Sequence, residues 1–144
     1  MRIIKEKNIY FKNYKTSEDF IFLYDFLKEA DNYKKITQSL HNYIYRPNSL
    51  SNTRDKEYYI CYLKVLNYYI NAEKNKNDIF YKYLLEEYVY LIREMKKIKF
   101  ILNDNKIRIL RKNIEKELTL RNFFINSKIK FKMKIRYLKL KGRK

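Results

Sequence analysis

Apolar residues recur at helical spacing through most of this chain. Phe20, Leu23, Phe26, Leu27 and Ala30 fall on one face of a helix that starts near Ser17. Thr16, three residues before Asp19, comes close to a capping box and marks that start. Tyr59, Tyr62, Leu63, Leu66, Tyr69 and Ile70 make a second stripe. A polar break over Glu73–Asn77 then leads to Asp78, a candidate cap for the next helix. In that helix Leu84, Tyr88, Leu91, Met95, Ile98 and Leu102 follow the alternating four-three spacing of a coiled-coil or helical-hairpin seam. Asn103-Asp104 caps a third helix with Ile107, Leu110, Ile114 and Leu118 inward. Before these, Leu40, Tyr43 and Tyr45 suggest short extended pieces, and Arg46-Pro47-Asn48-Ser49 is a loop, because proline pushes the preceding residue out of the helical region. The fold class expected is mainly α: a small α+β piece over 1–53, a helical bundle or hairpin over 54–125, and a tail over 126–144.

Composition narrows the chemistry. The 144 residues include one glycine and one proline, so no glycine-rich phosphate cradle or nucleophile elbow can be written, and a turn-rich β-sandwich is disfavoured. One cysteine, Cys61, excludes an internal disulfide and fits a reducing compartment. With one histidine, His41, a protein-built zinc site is excluded as well, and His41 reads as a packed or partly exposed polar residue. No run of 18 apolar residues is present to span a bilayer, and the start lacks a signal-peptide pattern.

Net charge is +18, from 34 Lys/Arg against 16 Asp/Glu. Such a balance points to nucleic acid, an anionic membrane surface or a phosphate-bearing ligand. Lys, Asn, Ile and Tyr supply 74 of the residues, all from A/T-rich codons, so part of that charge reflects base composition. The tail 126–144 holds nine of the cations and no acid, and Lys128 to Arg136 alternates basic and apolar residues. That alternation suits an anionic membrane surface, where each nearby cation contributes about 1 kcal/mol.

Two features could carry catalysis. Glu18-Asp19 opens a helix, where the N-terminal dipole keeps a carboxylate ionised and able to take a proton from an attacking hydroxyl. The same pair also serves as ordinary helix-start acids. Arg46 with Ser49 and Ser51 could hold phosphate oxygens from an irregular loop, Arg as a fork and Ser as a donor.

In order and spacing, the acidic pair, the short extended segment and the Tyr-x-Tyr-Arg-x-Asn-Ser-x-Ser loop resemble the C-terminal part of a bacterial family 2 glycosyltransferase catalytic domain of GT-A type. Ile9-Tyr10-Phe11-Lys12 resembles the stretch that precedes the acidic pair in these enzymes. The resemblance covers about residues 1–53. It implies an inverting sugar transfer from a nucleotide-sugar to a glycan or lipid-linked acceptor. By that resemblance Asp19 is the general base, Glu18 shapes the acceptor pocket, and Arg46 with Ser49 or Ser51 closes over the donor diphosphate. The donor half and its Asp-x-Asp metal motif are missing, since no two aspartates are separated by one residue. The chain is therefore expected to be a truncated transferase, inactive alone, with no cofactor of its own and Mn or Mg required only with the missing half. The implied setting is cytoplasmic, peripheral on the inner membrane face. Two other classes remain open: a basic helical nucleic-acid-binding protein, and a structural protein forming a homo-oligomer through 84–102.

Overall fold

The computed structural model describes residues 2–32, 34, 37, 38, 44, 53–98 and 104–118. Five helices follow in order: α1 (Arg2–Glu6), α2 (Glu18–Glu29), α3 (Lys56–Ala72), α4 (Asp78–Lys97) and α5 (Asn105–Glu117). The chain divides into two compact units, Met1–Cys61 and Tyr62–Lys144, with the division falling inside α3. No helix among the described residues is long and apolar enough to cross a membrane.

In the first unit α1 touches α2. Phe11 stacks on Phe22 at 4.3 Å with the rings almost parallel, and Lys7 pairs with Glu29 at 2.9 Å. These contacts turn the Ile21–Phe22 side of α2 inward. Ile21 is fully buried, whereas Phe20, Leu23 and Leu27 are 44%, 52% and 49% exposed. The stripe expected to form the buried face of α2 is thus its outward face, because the segment before the helix packs on the opposite side. Phe26 and Ala30 are half-buried.

The helix starts where expected, but Thr16 and Asp19 do not make its cap. Ser17 occupies the N-cap in the left-handed region, φ 66°, and its side chain makes no capping bond. A cap hydroxyl normally reaches the N2 or N3 amide from an extended backbone, which this φ denies. The described residues of the α+β piece hold helices and loops and no strand. The opening segment winds into α1, which satisfies its backbone internally rather than across a ladder. The extended pieces expected at Leu40, Tyr43 and Tyr45 lie outside the described residues.

In the second unit the hydrophobic stripes are where the periodicity put them. On α3, Leu63, Leu66, Tyr69 and Ile70 are buried, as are Val65 and Asn67, so α3 is enclosed on most sides. Asn67 supports that position by donating to the carbonyls of Leu63 at 2.8 Å and Leu110 at 3.0 Å, which ties α3 to α5. On α4, Leu84, Tyr88, Leu91 and Met95 are buried, but Tyr81, Leu85, Val89 and Ile92 are buried beside them. The face is wider than a coiled-coil seam, because two helices rather than one cover it. The helix also stops early: Ile98 is its C-cap and Leu102 lies outside the described residues. Of the 84–102 seam expected to join copies of the chain, Leu84, Tyr88, Leu91 and Met95 are buried within one chain. Its N-cap is Asn77, not Asp78, with the Asn77 side chain accepting from the Phe80 amide at 3.0 Å.

Asp104 caps α5 as expected, accepting from the amides of Lys106 at 2.9 Å and Ile107 at 3.2 Å. Ile107, Ile114 and Leu118 are buried and Leu110 is half-buried.

Candidate functional site

The sequence-derived catalytic pair sits in the first turn of α2, Glu18 half-buried and Asp19 exposed. Arg46, Ser49 and Ser51, the candidate diphosphate loop, lie outside the described residues, as do His41 and the tail 126–144. Cys61 is buried and free, with its thiol facing the Glu57 carboxylate at 3.8 Å. No group of three His, Cys, Asp or Glu among the described residues could hold a metal ion.

Charge is distributed unequally. Unit Met1–Cys61 has eleven Lys/Arg against eight Asp/Glu, a net of +3, while Tyr62–Lys144 has twenty-three against eight, a net of +15. What matters is where the second unit's eight acids point. Glu115 takes the Tyr88 hydroxyl together with Arg111 at 3.0 Å. Glu117 takes the Tyr81 hydroxyl at 2.9 Å and Lys76 at 3.1 Å. Glu87 takes the Tyr62 hydroxyl at 2.6 Å and Glu94 takes Lys97 at 2.6 Å. Glu73 accepts from the Asn75 amide and Asp104 caps α5. Asp78 lies in the first turn of α4, where the helix dipole favours it. That leaves Glu86 as the acid exposed on the outer side of α4.

The tyrosine partners show how far these acids are drawn inward. Burial pushes the Tyr88 hydroxyl well above its ordinary range, with Glu115 adding to the effect and Arg111 opposing it. Burial and the bond to Glu117 push Tyr81 up to about 12. Arg111 is held above its ordinary value: burial alone would lower it, and Tyr88 and Glu115 outweigh that. These groups hold helices together, because a buried hydroxyl or charge left without a partner is costly.

With the acids so engaged, the outer surfaces of α4 and α5 are strongly basic. Among the described residues, the side chains of Lys82, Arg93, Lys96, Lys106, Arg108, Lys112 and Lys116 have no acid or ring partner. On α5, every exposed position is Asn105, Lys106, Arg108, Ile109, Lys112, Asn113 or Lys116, with no acid among them. Arg108, Lys112 and Lys116 form an i, i+4, i+8 row, spaced about 6 Å by the helical rise. Like charges at that spacing destabilise a helix by about 0.2–0.5 kcal/mol per pair. A bound polyanion would reverse the sign of that interaction.

The sequence showed the total charge and placed nine cations in the tail, but it did not single out α4 and α5. Their acids look like ordinary surface residues in the sequence, interleaved with lysines. The only signal was spacing: Glu115 and Glu117 flank Ile114 near the inward stripe, while the lysines keep to the other side.

No protein family, curated protein or solved structure matches the chain.

Proposed function

We propose that this protein binds nucleic acid through the phosphate backbone, using the basic outer surface of its helical unit. One observation carries the reading: most of the unit's acids are held by tyrosines, caps or neighbouring cations, Glu86 excepted, while seven cations of α4 and α5 stand unpaired among the described residues. A phosphate backbone is the repeating anion that such a surface fits, and the affinity comes from released counterions. Exposed Ile79, Tyr83 and Tyr90 on α4 and Ile109 on α5 stand among the charges of Lys82, Glu86, Arg93, Arg108 and Lys112. Insertion into a bilayer needs a continuous apolar face, so a membrane surface fits this part of the molecule less well.

Binding of a mixed-sequence DNA duplex and of single-stranded RNA, followed across a salt series, tests the proposal. A steep fall of log K with log salt and little sequence preference are expected. Absence of binding at low salt would remove it.

A second reading, sugar transfer, keeps Asp19 as general base, favoured by the exposure of that carboxylate in the first turn of α2. It rests on the resemblance of residues 1–53 to family 2 glycosyltransferases, with Arg46, Ser49 and Ser51 on the donor diphosphate. On that reading the tail 126–144 rests on an anionic membrane. Titration with a nucleotide diphosphate and Mn²⁺ tests this second reading: no tight binding by this chain alone is expected, and tight binding would overturn the truncated-transferase form of it.

A further inference from the structure

We infer that the phosphate-binding surface is a strip shared by two helices, with Arg93 and Lys96 of α4 and Arg108 and Lys112 of α5 as its centre. The inference rests on the nucleic-acid reading and assigns the residues that do the binding.

Register comes first. Tyr81 bonds Glu117 and Tyr88 bonds Glu115, so lower numbers on α4 meet higher numbers on α5 and the helices run antiparallel. Moving from Tyr88 to Lys96 advances eight residues along α4, about 12 Å, and from Glu115 back to Arg108 is seven residues, about 10 Å. From the Tyr88–Glu115 bond Lys96 lies beside Arg108, and from the Tyr81–Glu117 bond it lies about 9 Å beyond it, so Arg93 and Lys96 sit beside or just past the Arg108 end of α5, and Lys82 lies toward the Lys116 end.

Facing comes next, at about 100° per residue. α3 meets α4 through Glu87, which bonds Tyr62, and Tyr83, whose ring centre is 6.0 Å from that of Tyr69. Lys96, Lys82 and Arg93 lie on the flank of α4 turned away from those two residues. α3 meets α5 at the Leu110 carbonyl, and Arg108 and Lys112 lie almost diametrically opposite Leu110. Both flanks border the α4–α5 line on its side away from α3. The two helices thus present one band of cations rather than two separate rows.

Between its rows the band holds no acid: Glu115 is turned in to Tyr88 and Arg111, and Glu86, about 20° round α4 from Arg93 and two turns from it, borders the outer edge. Its cations contact the phosphate backbone, and exposed Tyr90 lies one turn before Arg93 at its edge. Lys106 lies on the other edge of the exposed arc of α5, outside the band.

The test compares two full-length variants that each lose four charges. One carries Arg93→Gln, Lys96→Gln, Arg108→Gln and Lys112→Gln. The other carries Lys5→Gln, Lys28→Gln, Lys34→Gln and Lys74→Gln, all exposed positions off α4 and α5. With a mixed-sequence DNA duplex as probe, the strip variant should lose about 0.9 from the log K–log salt slope for each contact removed, a total of about 3 to 4. The off-strip variant should keep most of its slope. Equal losses in the two variants would overturn the strip while leaving nucleic-acid binding in place, and no salt-dependent binding by the parent chain would overturn both. Loss of flotation with anionic vesicles by the strip variant, with DNA binding unchanged, would also overturn it in favour of a lipid headgroup. Circular dichroism of both variants should match that of the parent chain, so that a slope lost by the strip variant alone reports charge removed and not a lost fold.

Discussion

Helices α2 and α4 have comparable apolar content, yet α4 buries eight side chains and α2 buries only Ile21. The difference lies in their neighbours. α4 is bonded to α3 through Tyr62–Glu87 and to α5 through Tyr88–Glu115, so two helices enclose it. α2 is met on one side by Phe11 and Lys7, and its strongest apolar stripe points away from them. An amphipathic pattern supplies a face that can be buried, but burial requires a partner of matching length on that same side. The charges follow the same division. Where α4 and α5 pack, carboxylates are pulled in to tyrosines and the cations are left outside.

Core truncation should separate the two regions most sharply. Leu84→Ala or Leu91→Ala removes a fully buried side chain and should cost about 2–5 kcal/mol in denaturant unfolding. Leu23→Ala on α2, half exposed, should fall within about 0.5 kcal/mol of the parent. Equal losses at the two sites would mean that the α2 stripe is covered in solution and would break the comparison.

Alkaline pH acts on the packed region next. The hydroxyl of Tyr81 titrates near 12 in the folded protein against about 10 in the unfolded chain. Between those values the unfolded chain has released its proton and the folded chain has not. Tyr81 therefore contributes stability that is complete below pH 10 and lost as pH rises toward 12. Tyr88 shifts in the same direction. Unfolding curves at a series of pH values should show this fall, and Tyr81→Phe should flatten it. An unchanged slope in that variant would mean that Tyr81 is not the group responsible.

The caps give the smallest contrast. Asp104→Ala removes a side chain that accepts two amides and should destabilise by about 1 kcal/mol. Ser17→Ala removes no capping bond and should lose much less through that route. Ser17→Gly should stabilise by up to about 1 kcal/mol, because glycine adopts a positive φ without a Cβ penalty. Thermal midpoints of the three variants would order them directly, and a loss on Ser17→Gly would show that the hydroxyl has a role beyond the cap.

Positions of helices were accessible from periodicity and cap chemistry. The stripes at Leu63–Ile70, Leu84–Met95 and Ile107–Leu118 are the buried ones, and Asp104 is the cap it was expected to be. Periodicity gave the wrong side of α2, since Ile21 and Phe20 are both apolar neighbours and only packing chooses between them. It also narrowed α4 to a single seam, since the sequence does not say how many helices will cover it. The basic strip was the least accessible of all. Glu115 and Lys112 differ in the sequence by sign alone, and the roles of interior tether and outward cation follow from where Tyr88 sits.

What the amino-acid order settled here was local: a mainly helical chain, the approximate starts of its longer helices, and a large positive charge. Those follow from interactions within one or two helical turns and from counting. Which apolar face found a partner, which acids were drawn inside, and which cations of two different helices came to share one band are long-range outcomes. They depend on the register between α4 and α5, set by the tyrosine–glutamate bonds that cross from one helix to the other.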